Sequence, residues 1–139
     1  MNKLLLKFSF LFIIMIGCTE TNILKPEPEP DPSIPFSKFS SIQEKVFSPR
    51  CDRPGCHGTT NTQANLLLGE GEAYQNLVGV QSIIFPVLKR VLPDSSSQSL
   101  LIKILKGEVS PRMPLEGDFL SDAVIDSIAK WIDDGAINN

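Results

Sequence analysis

Histidine is almost missing from this chain: His57 is the only one in 139 residues. Once that imidazole is committed, no serine–histidine–acid relay or metal–water centre can be assembled from what remains. Cysteine and methionine are scarce, at three each, and tryptophan and tyrosine occur once, so any chemistry rests on very few side chains. No basic stripe with interleaved aromatics is present, which removes nucleic acid from the partners. Gly69-Glu70-Gly71 is too short and too acidic to cradle phosphate. Strand-like alternation never extends beyond a few residues and no internal repeat appears, so the chain reads as all-α, a few helices joined by long loops.

What is there divides into three parts. Residues 1–17 read as a signal peptide: Lys3 and Lys7 precede the apolar stretch Phe8 to Ile16, with no stop-transfer pattern behind it. Met15-Ile16-Gly17-Cys18 resembles a bacterial lipobox, in which cleavage before the cysteine leaves Cys18 lipidated; an ordinary secretory signal with an incidental Cys18 is the alternative. Residues 18–35 are a tether. Pro26, Pro28, Pro30 and Pro32 alternate with acids, a composition that cannot bury a core and favours extended polyproline II. Residues 36–139 form one small domain. Without Lys3 and Lys7 the balance of 13 basic and 16 acidic residues moves from −3 to −5.

Within the domain, Phe39, Ile42, Val46 and Phe47 fall at helical spacing, with Ser40 or Ser41 as expected N-cap and Pro49 as the stop before Cys51. Glu72 to Val78 reads as a short helix ended by Gly79. Ile83 to Val91 is apolar but interrupted by Pro86, and its pattern fits neither period. Leu100, Leu101, Ile104 and Leu105 mark one face of a helix closed by Gly107. The clearest element runs from Asp122 to about Asp134, capped by Ser121 and ended by Gly135, with Val124, Ile125, Ile128, Ala129, Trp131 and Ile132 as its apolar stripe.

The chemistry concentrates in Cys51-Asp52-Arg53-Pro54-Gly55-Cys56-His57, which holds two of the three cysteines and the only histidine. A pair of cysteines followed at once by histidine is the attachment pattern of c-type haem, in which thiols add to vinyl groups and the imidazole binds iron. The usual spacer is two residues; here it is four, and Pro54 and Gly55 suit the bulge this forces. Beyond residue 15 the single methionine is Met113, in the proline-pinned loop Ser110-Pro111-Arg112-Met113-Pro114, a poor address for a core filler. A late thioether opposite an early Cys-His pair suits a His/Met-ligated electron-transfer haem. Arg53, Lys89, Arg90 and Arg112 are candidates to meet haem propionates, although solvated surface is the ordinary place for each, and Trp131 reads as helix packing rather than an electron relay.

Two other readings stay open for the cluster. Four intervening residues permit a Cys51–Cys56 disulfide in an exported, haem-free interaction or structural domain. Zinc has three ligands in the cluster and lacks a fourth. A third possibility keeps the haem but leaves Met113 unligated, giving a sensor or enzyme with an open distal site.

The domain resembles the bacterial cytochrome c family, in particular the small lipoprotein and planctomycete-type cytochrome c domains. The likeness covers about Phe36 to Ala136. It rests on Phe39 to Phe47 leading into Cys51 and Cys56-His57-Gly58, on Val91-Leu92-Pro93-Asp94 with Ser99-Leu100-Leu101, on Arg112-Met113-Pro114, and on Leu120-Ser121 through Trp131-Ile132 to Gly135-Ala136. It implies an all-α cytochrome c-like fold around one covalent haem c, with Cys51 and Cys56 as thioether anchors, His57 as proximal iron ligand and Met113 as distal ligand. It also implies that the first and last helices cross in contact. The resulting expectation is a lipoprotein electron carrier, not itself an enzyme, working with redox partner proteins. Cys18 would anchor it to a membrane on the periplasmic face, and Thr19 after that cysteine suits outer-membrane sorting in a host with two membranes.

Overall fold

Pro49 lies inside the first helical run, where an α-helix would be expected to end. In the computed structural model, which describes residues 38–139, α1 (Phe39–Ile42) passes directly into a π-helix over Gln43–Cys51. Proline has no N–H and its ring collides with the carbonyl four residues back in an α-helix; the wider π turn relieves that conflict. The expected stop before Cys51 is therefore replaced by a helix that ends on Cys51, closed by an Asp52 N–H bond to the Phe47 carbonyl at 2.8 Å.

The start of α1 also differs from expectation. Lys38, in extended conformation, occupies the cap position, and neither Ser40 nor Ser41 caps the helix. The opening donors turn to the far end of the chain: Phe39 N–H donates to Asn139 Oδ1 at 2.8 Å and Ser40 N–H to the Asn139 carbonyl at 3.0 Å. Free N–H groups at a helix start need acceptors, and here a distant residue supplies them.

Three further helices follow: α2 (Ala73–Leu77), α3 (Leu100–Lys106) and α4 (Asp122–Asp133), with short 3₁₀ turns at Gln63–Asn65 and Ser96–Gln98. The described residues contain no strand. The stretch between α2 and α3 carries only two isolated bridges, Val78 with Val91 and Gln81 with Lys89. The all-α expectation holds. In α3 the buried positions are Leu100, Leu101, Ile102 and Leu105, so Ile102 takes the inward place expected of Ile104, which is only partly buried. In α4 the expected stripe is buried at Val124, Ile125, Ile128, Trp131 and Ile132, and Ala129 borders it. Ser121 stands at the cap position, its carbonyl accepting from Ile125 N–H at 3.0 Å, but its hydroxyl makes no cap bond.

Phe39 joins the two ends of the domain. Its ring lies 5.2 Å from Trp131, 5.3 Å from Tyr74 in an edge-on arrangement and 6.2 Å from Phe47. Trp131 is a core residue, as its helix position implied, and its indole N–H donates to the Ile137 carbonyl at 2.8 Å. The first and last helices thus touch through aromatic packing that excludes water. No helix among the described residues is long and apolar enough to cross a membrane. Residues 1–17, Cys18 and the proline-rich tether lie outside the described residues.

Candidate functional site

The π-helical run delivers Cys51 to the edge of the core, and the next residues fold back beneath it. The Cys51 carbonyl accepts two N–H groups, from Arg53 at 2.9 Å and from His57 at 3.1 Å. Arg53 returns the pattern, its carbonyl accepting from Cys56 at 3.0 Å and Gly58 at 3.1 Å. The four-residue spacer is thereby a closed knot. Gly55 sits at φ +79°, a left-handed value that disfavours any residue with a Cβ. At Gly58 the reason is space, since a Cβ would lie 3.0 Å from the backbone carbon and oxygen of Arg53.

A second loop encloses His57. Its carbonyl accepts from Leu68 N–H at 2.8 Å, and Gln63 N–H bonds the Cys56 carbonyl at 2.7 Å. The imidazole Nδ1 lies 3.1 Å from the Leu66 carbonyl oxygen. A carbonyl can only accept, so Nδ1 carries the proton and Nε2 keeps its lone pair. Burial lowers the His57 pKa below its usual value, against the opposing hydrogen bonds at Leu66 and Gln63. The ring is therefore neutral at neutral pH, the form in which an imidazole binds a metal.

Both cysteines of the knot are half-buried free thiols. Burial pushes the Cys51 thiol up to about 11, with nearby Arg50 pulling the other way and Cys56 adding to the rise. A thiol so protonated is a slow nucleophile toward disulfides and a poor zinc ligand without help. No group of three or more His, Cys, Asp and Glu side chains is placed to hold a metal ion among the described residues, so Cys51, Cys56 and His57 do not converge as zinc ligands must. Haem attachment asks for a different arrangement: sulfurs bind the rim of the ring and the imidazole its centre. The donor types that haem attachment uses are present: two free thiols, an imidazole hydrogen-bonded through Nδ1, and a thioether packed on the core that Cys51 also borders.

That thioether, Met113, sits between α3 and α4. The loop folds back on α3, Met113 N–H bonding the Ile104 carbonyl at 3.2 Å and Arg112 Nε the Leu105 carbonyl at 2.9 Å. Met113 is partly buried against the hydrophobic core that Cys51 also borders. Its proline-pinned loop is a poor address for a core filler, yet the side chain packs partly on the core. The structure thus brings Cys51, Cys56 and His57 together through backbone bonds, and ties Met113 to them only through the shared core.

Arg90 departs from the solvated place expected of it and is buried at 6% exposure, whereas Lys89 and Arg53 are solvated as expected. One residue escaped sequence reasoning altogether. Gln43 is also buried; its Nε2 donates to the Leu68 carbonyl at 2.9 Å and to Ser48 Oγ at 3.0 Å, while its Oε1 has no partner. A groove of about 610 Å³, whose lining includes Phe39, Ser40, Gln43, Ser48 and Tyr74, contains none of the four candidate ligand and anchor residues. Comparison with protein-family models, curated proteins and solved structures gives no match.

Proposed function

We propose that this chain is an exported, lipid-anchored monohaem c-type cytochrome with a cytochrome c-like fold, carrying single electrons between redox partner proteins. One observation carries the reading: the only imidazole donates Nδ1–H to the Leu66 carbonyl, the hydrogen bond that orients a metal-binding histidine and leaves Nε2 for the metal. Haem bound there would supply one-electron exchange at its iron. The chain supplies the rest. Cys51 and Cys56 would hold the ring through thioethers, His57 would ligate from one side, and Met113 would complete coordination and exclude small molecules, which favours a carrier over an enzyme. Cys18, if lipidated, would tether the domain through the 18–35 segment to the periplasmic face of a membrane, with the outer membrane favoured.

The test is the intact mass and pyridine haemochrome spectrum of the mature protein made alongside a cytochrome c maturation system. One haem added per chain, with a methionine–iron charge-transfer band in the oxidised form, is the expected outcome. Colourless protein carrying a Cys51–Cys56 disulfide overturns the reading in favour of a haem-free interaction domain. Attached haem without the band identifies an open distal site instead.

A further inference from the structure

Arg90 is a buried cation that no carboxylate neutralises among the described residues. Its guanidinium is held by backbone oxygens alone: Nη1 donates to the Asn76 carbonyl at 2.8 Å, and Nη2 to the carbonyls of Ala64 at 2.7 Å and Asn65 at 3.1 Å. Burying an unpaired charge is expensive, so the fold tolerates it only where surrounding structure compels it. Ala64 and Asn65 sit at φ +56° and +47°, left-handed values that an alanine rarely adopts unless it is held. Arg90 clamps the carbonyls of these two residues.

The next residue is Leu66, whose carbonyl receives the His57 Nδ1–H. The clamp therefore fixes a full positive charge beside the segment that orients the imidazole. We propose, resting on the reading of His57 as a haem ligand, that Arg90 tunes the reduction potential upward: its immobilised, unneutralised charge opposes the extra positive charge of the oxidised centre. Because Arg90 is only 6% exposed, salt screens this effect less than it would a surface charge.

The experiment is redox titration of the mature haem-loaded protein beside Arg90→Gln and Arg90→Lys, each checked for covalent haem by intact mass. Arg90→Gln is expected to lower the potential by about 59 mV or more, a tenfold shift in the one-electron equilibrium, and the gap to persist at high salt. Arg90→Lys keeps the charge and stays nearer the wild-type value than Arg90→Gln. Should Arg90→Gln fail to fold, adding Ala64→Gly relieves the left-handed backbone, and the double variant is titrated in its place. Haem-loaded Arg90→Gln at the wild-type potential, or a Lys variant falling as far as the Gln variant, overturns the assignment while leaving the cytochrome reading intact. Wild-type protein that takes up no haem overturns both, and the mass measurement separates that case from the first.

Discussion

The two halves of the candidate site are built by different means. Around His57, between Cys51 and Leu68, main-chain hydrogen bonds close one loop inside another, and buried Gln43 and Arg90 secure the outer loop from two sides. Around Met113 the ties are fewer. One main-chain bond and the Arg112 side chain hold the loop to α3, Arg50 reaches the Asp118 carbonyl, and Leu115 and Phe119 stand exposed. Backbone bonds leave little freedom once formed, whereas a segment held by a few side chains opens at lower cost. The histidine side is thus prearranged by the chain, and the methionine side depends on what packs against it.

The strongest attack on that contrast is Gly58→Val. The added side chain meets the Arg53 backbone at 3.0 Å, and a destabilisation of about 3 kcal/mol is expected in thermal or urea unfolding, with loss of the haem attachment proposed above. Met113→Ala should cost less, about 2 kcal/mol for a partly buried side chain. On the proposed cytochrome reading it keeps covalent haem on Cys51 and Cys56 and removes the methionine–iron band, which optical spectra check directly.

A third prediction concerns protons. Folding raises the Cys51 thiol to about 11 from 9.0, so between those values the folded chain keeps a proton that the unfolded chain has released. Stability of the free-thiol protein should therefore fall as pH rises from 9.0 to about 11, by roughly 1–2 kcal/mol after allowance for partial exposure. A thioether does not titrate, and urea titrations of haem-loaded protein should lack this Cys51 contribution over the same range. The smallest effect belongs to the methionine side. Phe119→Ala removes the ring 4.1 Å beneath the Arg112 guanidinium and should cost about 0.5–1 kcal/mol in thermal unfolding.

Much of this was readable in the residues, and the exceptions have physical causes. The α4 stripe from Val124 to Ile132 follows the helical period, and its inward face emerged as read. The Cys51–His57 cluster was legible because its members are neighbours in sequence. The continuation through Pro49 was not, since the proline rule describes α-helices and a wider coil evades it. Ser121 and Ser40 had the chemistry of caps, but the donors of α1 went to Asn139, about a hundred residues away in sequence, a pairing no local pattern reports. Leu66 matters through its carbonyl, which every residue type carries, so its side chain gave no sign. Arg90 offered a faint one: where Gln81 bridges Lys89 the backbone is extended, and successive side chains take opposite sides, leaving Lys89 outside and Arg90 within.

The wide coil that carries Cys51 also makes its sulfur sensitive to chain length. A helix turns every residue beyond a cut together, so deleting Glu44 from this run would swing the first anchor by about a quarter-turn. Val46 and Phe47 would turn with it, and the shortened chain would lose part of its inward face along with its aim.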